Sequence, residues 1–578
     1  MGDPLPLAPS WHSCLPRKAL LLIAIVTFAR LLFIAFFCPY NLVEDEAQYW
    51  VWSTRPDWSY YSKGPGIAWS IWASTRLFGT TEFGVRAFAP LYAAITALAI
   101  AGLCADATRD RRAAFAGAAI FYLIPAYIVS GTFLMTIDGP MLALWAIACW
   151  AAFRAFYRAS RRAWLILGLA LGIGFLFKYT IALLIPSLIL AYVLAFWLDR
   201  HNLRIARPLP LHLAIVLLCI ALGLFPIAIW NSQNGWPAIS HFLGHAKLPG
   251  GDRPPTAQAT PFTPKWFFEF VGIQLAAIGP ALVLMWLGFR ALRGTARPGG
   301  VSSSFHNTPD STFSRSSIIF LVCAGLPTLL FYLFATFLTS VEANWPIGGY
   351  ISLIPLAALA VARGISDWRE RMTRWYATPV AERTKQGFLL KRPETMPQVA
   401  WHATLAIGII VSFLILRLDL IAKLPGLEGK LALHRLMGAP QFAHAIQRLS
   451  IEHSEPSLQQ RSPDPKPPLL ISYHYGVAAQ LSFYLPDHPM VYVAGSHMGY
   501  RRTQWDLWPD MSLSNPDLKG KDALLIGATE SQWKPHFRTV TDLGHLPEDL
   551  RKDRWVYFGE GFFPFNEHAE TPASGGGT

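Results

Sequence analysis

The sequence predicts a polytopic α-helical membrane protein with about 11 transmembrane helices and a small C-terminal extracytoplasmic α/β domain. Three observations predict it. Hydrophobic residues fill 53% of 578 positions and charged residues only 15%, too apolar a balance for a soluble chain of this length. Apolar stretches able to cross about 30 Å of hydrocarbon recur between residues 19 and 416. Beyond residue 425 no such stretch occurs, and short strand-like runs bounded by turn residues take over.

In chain order, the expected spans are 19–38, 84–104, 113–130, 139–157, two within 164–198, then 211–230, 266–289, 317–339, 347–362 and 400–416. The run 164–198 is interrupted by Lys178-Tyr179-Thr180, which reads as a tight turn between two spans. Residues 1–18 are the expected cytoplasmic N-terminus. The first span exceeds the apolar length of a signal peptide and lacks a small-residue cleavage site after it, so it is expected to remain as a helix.

Charge sets the expected orientation. Arginines cluster at 109–112, 154–162, 200–207 and 290–297, and a basic segment covers 363–392, all in alternate loops. Cytoplasmic loops carry such an excess, so the opposite loops 41–83, 131–138, 231–265 and 340–346, with the turn at 178, face outward. An odd number of spans then sends the C-terminal part outward too. The net charge of +13 is divided among these short clusters and forms no single basic face, which excludes nucleic acid as a partner. The six cysteines, at 14, 38, 104, 149, 219 and 323, lie in or beside apolar runs without CxxC spacing, so they define neither a disulfide framework nor a zinc site.

The membrane domain is expected over 19–424 and the outer α/β domain over 425–568. In the latter, "KPPLLISYHYG", "MVYVAG" and "DALLIGA" read as strands, and "VAAQLSFYL" as a helix between the first two. "SEPSLQQRSPDPKPP" has linker composition, and 569–578, ending "ASGGGT", is expected to be disordered.

The outer loops carry the chemistry. Glu44, Asp45 and Glu46 follow the first span, and "DEAQYWVWS" forms an amphipathic helix whose Tyr49, Trp50 and Trp52 suit the membrane interface. A carboxylate on that helix faces any lipid headgroup held there and can act as a general base or a metal ligand; simple avoidance of hydrocarbon also accounts for acids at this boundary. Lys63 and Lys178 stand at membrane boundaries, where an ammonium either snorkels or binds a lipid phosphate. Asp138 is a lone acid in an otherwise uncharged outer loop, a costly placement unless it is paired. His241 and His245, spaced i, i+4, share one helix face and are the candidate metal ligands.

At these residues the sequence resembles a known family. "EDEAQYWVWS", "DWSYYSKGPGIAW", "MTIDGPMLALWA", "KYTIALLIPSLIL", "WNSQNGW" and "EANWPIGGY" are similar, in that order, to segments of bacterial GT-C membrane glycosyltransferases. More narrowly they resemble the protein-mannosyltransferase-like family that includes lipid A aminoarabinose transferases. The likeness covers about residues 20 to 420, and the tail resembles the outer domain of one branch.

The resemblance implies a GT-C-like fold and transfer of a sugar from a polyprenyl-phosphate donor to a lipid, glycan or protein acceptor on the outer face of the cytoplasmic membrane. The family's loop acid matches Asp45, with Glu46 beside it, and its second-loop acid matches Asp138. The family's loop lysine matches Lys63; with Lys178 it is the expected donor-phosphate binder. In the aminoarabinose branch a glutamate precedes that lysine, whereas Ser62 stands here, so a divalent metal is left open and no other cofactor is implied. Tyr61, Glu342, Asn344 and Trp345 are the candidates for lining the sugar or acceptor pocket. Direct displacement would invert the anomeric centre. A lipid-linked sugar flippase and a non-catalytic envelope-assembly protein share the many spans, but neither needs an outward general base.

Overall fold

The computed structural model describes residues 15–245, 248–252, 263–295, 311–377, 396–426, 433–458, 467–546 and 554–565. The tail 569–578, expected to be disordered, lies outside the described residues, as do Arg297 and the 378–392 part of the basic segment. The chain divides into two compact units, one comprising Met1–Phe37, Arg86–Ala228 and Phe262–Arg417, the other Cys38–Val85, Ile229–Pro261 and Leu418–Thr578.

The first unit is helical, because a backbone in hydrocarbon must satisfy its polar groups internally. Its core is rich in small residues, among them Ala97, Ala101, Ala146 and Ala152, with Trp145 and Phe153 filling the space between them. Small residues allow helices to approach closely. A Cβ on Gly223 of helix Leu209–Gln233 would lie 2.0 Å from the carbonyl oxygen of Gly172 in helix Arg161–Phe177, so that crossing is backbone against backbone. Leu217, Leu218 and Leu222 are exposed on the same Leu209–Gln233 helix, as suits a face that meets lipid.

Among the described residues, eight helices are long and apolar enough to cross a membrane, or nine if the bent pair Pro264–Ile278 and Ala281–Ala291 makes one span. This is a multi-pass membrane protein with fewer full-length spans than the eleven expected. The difference has local causes. The expected span 113–130 is broken after Ile124, where Pro125 removes a backbone donor, leaving Arg111–Leu123 with 13 residues and Pro125–Thr132 with 8. Thirteen residues rise about 20 Å, short of the hydrocarbon thickness. Arg161–Phe177, with 17 residues, is at the lower limit of a spanning helix. The expected span 266–289 bends by 81° between its two helices, at Gly279-Pro280.

The second unit contains a five-stranded sheet. Its strands are β1 (Leu469–Ser472), β2 (Tyr492–Val493), β3 (Ala523–Ile526), β4 (Phe537–His545) and β5 (Trp555–Phe562), in the order β2-β1-β3-β5-β4. β1 runs parallel to β2 and β3, with Ile471 opposite Leu525, while β5 is antiparallel to β3 and β4. The central β3, "ALLI", is buried throughout and therefore reads as a continuous apolar run. Helix Tyr475–Tyr484 connects β1 to β2, because parallel neighbours need a crossover. The three expected strands and this helix are present; β4 and β5 are additional.

Candidate functional site

Each unit holds one group of the residues singled out by the sequence. In the second unit the three consecutive acids open helix Glu44–Thr54. Their side chains have separate fates. Glu46 is fully buried, and its Oε2 accepts the Val43 N–H at 3.2 Å, a cap on the helix N-terminus. Glu44 places Oε2 3.8 Å from Nδ1 of His474. Asp45 is exposed. Negative side chains in a first turn also complement the positive end of the helix dipole, which favours acids at all three positions.

The helix is held from two sides. Trp52 stacks on Tyr60 with centroids 4.7 Å apart and planes 5° from parallel, and the Tyr60 hydroxyl donates to the Trp52 carbonyl at 2.9 Å. The turn beyond is closed by Tyr60 N–H and Ser59 Oγ, which both donate to the Lys63 carbonyl, at 3.0 and 3.1 Å. Lys63 is thus fixed at its backbone. On the other side, Trp50 meets Phe483 edge-on at 4.9 Å, and helix Tyr475–Tyr484 approaches so closely that a Cβ on Gly476 would lie 2.6 Å from Cβ of Glu44. The "YHYG" stretch therefore requires glycine for this helix contact.

Tyr61, between these elements, is almost fully buried. Its N–H donates to Oε1 of Gln504 at 2.7 Å, and its hydroxyl donates to Oδ2 of Asp252 at 2.9 Å. Nδ1 of His241 lies 2.8 Å from the same Oδ2, and Nε2 of His245 lies 3.1 Å from Nε2 of His241. Burial pushes the His241 imidazole below its ordinary value; Asp252 pulls it up, and Lys63 and Arg501 push it down. Asp252 is held below the usual carboxylate range: burial opposes its charge, but the hydrogen bonds from His241 and Tyr61 and the field of Arg501 outweigh this. The consistent assignment is an ionised Asp252 accepting from a neutral His241, whose Nε2 accepts from His245. Burial and the adjacent Asp252 push the Tyr61 phenol far up, so it stays protonated.

The first unit holds the other group. Asp138 begins helix Asp138–Tyr157 and is nearly buried, with its Oδ1 2.6 Å from Nζ of Lys178 and its Oδ2 accepting from Nδ2 of Asn344 at 2.7 Å. Lys178 caps the C-terminus of helix Arg161–Phe177, where a cation complements the dipole. Trp345 lies 6.0 Å from Tyr332, ring to ring, and Tyr332 lies in the field of Asp138. Glu342 is exposed, and its carbonyl accepts the Trp345 N–H at 3.2 Å.

Two readings of single residues gain a different setting here. Lys178, expected to meet a donor phosphate, has its ammonium on the Asp138 carboxylate. His241 and His245, the metal candidates, hydrogen-bond to Asp252 and to each other, and among the described residues no group of three or more His, Cys, Asp or Glu is placed to hold a metal. Sequence reasoning missed Asp252, Gln504, Tyr475 and Arg501. For Gln504, Tyr475 and Arg501 the signal was the density of polar and aromatic residues in "YHYG" and "GYRRTQW"; Asp252, in "GGDRPP", lies in neither stretch.

Residues 62–230 match the family model of dolichyl-phosphate-mannose-protein mannosyltransferases. The lipid A galacturonosyltransferase RgtD of Rhizobium johnstonii is 26% identical over 342 residues, 58% of this chain and 64% of that protein. The undecaprenyl phosphate-alpha-4-amino-4-deoxy-L-arabinose arabinosyl transferase 2 of Proteus mirabilis is 27% identical over 290 residues, 49% of this chain and 47% of that protein. The chain thus spans less than two thirds of the length of these relatives. The crystal structure of ArnT from Cupriavidus metallidurans bound to undecaprenyl phosphate shares the fold, with a TM-score of 0.54 over 93% of this chain and 97% of that one, at 15% identity.

Proposed function

We propose that this chain, which belongs to the protein-mannosyltransferase-like family of GT-C glycosyltransferases, transfers a sugar from a polyprenyl-phosphate donor to an envelope acceptor at the outer face of the cytoplasmic membrane, with inversion. The observation that carries this reading is the division of labour among the three consecutive acids. Glu46 caps a helix and Glu44 faces His474, while Asp45 presents an exposed carboxylate on a helix anchored from both sides. An exposed, positioned carboxylate is what a general base requires.

In this mechanism Asp45 takes the proton of the acceptor hydroxyl as its oxygen attacks the anomeric carbon. The bond from that carbon to the phosphate oxygen breaks, and polyprenyl phosphate leaves with the electron pair. Lys63 neutralises the leaving phosphate. Within the first unit Asp138 is held by Lys178 and Asn344. Tyr61, in the same unit as Asp45 and Lys63, lines the sugar or acceptor pocket. The basic loop clusters favour the cytoplasmic side, which leaves the acid-bearing loops and the sheet-containing tail outside. Lipid A is the acceptor class to try first, since relatives named for lipid A and for undecaprenyl-phosphate sugars match the chain.

The test is reconstitution of the full chain in phospholipid vesicles with lipid A and undecaprenyl-phosphate donors carrying a uronic acid, an aminopentose or a neutral hexose. Mass spectrometry should find one sugar added to lipid A and free undecaprenyl phosphate formed with at least one donor. Translocation of a donor across the vesicle without any transfer would replace this reading with a flippase.

A further inference from the structure

We infer that Arg501, contributed by the sheet-containing C-terminal region, is a specificity-determining residue that binds an anionic group of a substrate, either the carboxylate of a transferred uronic acid or a phosphate on the acceptor lipid. This rests on the glycosyltransferase reading above. Arg501 is partly buried, and one terminal nitrogen donates to the Tyr475 hydroxyl at 3.0 Å. Its guanidinium lies 5.5 Å from the Tyr475 ring and 6.0 Å from the Tyr500 ring, so two aromatic faces fix its plane. Among the described residues no carboxylate hydrogen-bonds to it.

Arg55, in the same unit, shows what a structurally paired arginine looks like: two parallel bonds to Asp510, at 2.9 and 2.7 Å. Among the described residues Arg501 has no such carboxylate partner, and it keeps donors in the planar fork that matches an oxyanion. Its neighbours place it among the site residues. Tyr475, its hydrogen-bond partner, lies in the field of Asp45, and Arg501 itself acts electrostatically on Tyr61, His241 and Asp252. Lys63 acts on His241 as well, so two cations, Lys63 and Arg501, contribute to the field at this histidine beside Asp252. A uronate or a phosphate suits that field, whereas the ammonium of an aminosugar opposes it.

The experiment compares the parent with Arg501→Gln and Arg501→Lys as full chains in vesicles. Undecaprenyl-phosphate galacturonate and undecaprenyl-phosphate galactose serve as donors, and phosphorylated and dephosphorylated lipid A as acceptors. A charge-assisted contact predicts a rise in KM of about 10- to 100-fold for Arg501→Gln, confined to the anionic member of one pair, with Arg501→Lys recovering part of it. Loss confined to the galacturonyl donor assigns the sugar carboxylate; loss confined to phosphorylated lipid A assigns the acceptor phosphate. An unchanged KM, or an equal loss with all four combinations at an unchanged melting temperature, overturns the inference. Should Arg501→Gln melt early, Arg501→Lys alone carries the comparison, and a parental KM with every substrate overturns the fork geometry. Binding of each donor and of phosphorylated lipid A, followed by tryptophan fluorescence, separates the two readings: a parent that binds but transfers nothing defeats the transferase, whereas a parent that transfers and a Gln variant that binds both the galacturonyl donor and phosphorylated lipid A equally well defeats only the role of Arg501.

Discussion

Asp138 and Asp45 are both acids at the start of a helix, yet their surroundings are opposite. Asp138 is nearly buried and holds a lysine at 2.6 Å and an asparagine at 2.7 Å, whereas Asp45 is exposed. The difference follows from solvation. A carboxylate removed from water has to be matched by a cation and by hydrogen bonds, or it takes up a proton. One left in water is solvated and open to a substrate. The two acids that look alike in sequence therefore differ in setting, one buried against a cation and the other exposed.

The largest effect that can break this contrast is on stability. Lys178→Leu leaves Asp138 buried without its cation, which costs about 3–5 kcal/mol for a buried pair. Thermal unfolding in detergent should show that loss, and the Lys178→Leu, Asp138→Leu double variant should recover much of it. Arg55→Leu, which breaks the exposed pair with Asp510, should cost only about 0–1 kcal/mol. Equal losses for Lys178→Leu and Arg55→Leu would show that Asp138 is solvated after all.

Catalysis sharpens the same comparison. Asp45→Asn keeps the size and most hydrogen bonds of the side chain but cannot accept a proton near neutral pH, so transfer should fall by about 10²-fold or more with donor binding retained. Glu44→Gln removes the same charge from the same helix turn and should be mild. The pair of variants controls for the field of the loop. Equal losses would mean that the cluster acts through summed charge, and no loss in either would move the base away from Asp45.

The membrane architecture and several polar residues were legible because a charge in an apolar chain stands out locally. Asp45, Lys63 and Asp138 needed only a hydropathy reading and a resemblance to draw attention. Their partners were not legible, because partnership is made by folding. Lys178 meets Asp138 across 40 residues, Asn344 meets it across 206, and Gln504 reaches Tyr61 across 443. Fewer full-length spans are found among the described residues than the eleven expected, for a different reason. Apolar composition does not register a helix break, although Pro125 and the Gly279-Pro280 pair were visible signs of one. β4 and β5 were missed because "FRTVTDLGH" and "WVYFGEGF" mix exposed polar positions and glycines into the strands.

The smallest expected effect concerns the second unit alone and asks whether its buried histidine behaves as its surroundings dictate. His241 faces Asp252 and His245 by hydrogen bonds and Tyr61 by ring contact, and it also feels Lys63 and Arg501. Burial places its folded pKa below the ordinary 6.5. Between those two values the unfolded chain binds the proton and the folded chain does not, so stability rises with pH. The contribution is fully present above 6.5 and is lost as pH falls from there toward the folded value. Asp252 has the same sign, but its window lies below 3.8 and does not overlap. His497, also lowered by burial, adds to the slope in the histidine window. The measurement is therefore a difference. Melting temperature in detergent should fall between about pH 7.5 and about pH 5.5 in the parent, and His241→Gln should flatten part of that fall. A slope identical in parent and variant would show that His241 titrates like an exposed histidine, and that Asp252 and Tyr61 are held without it.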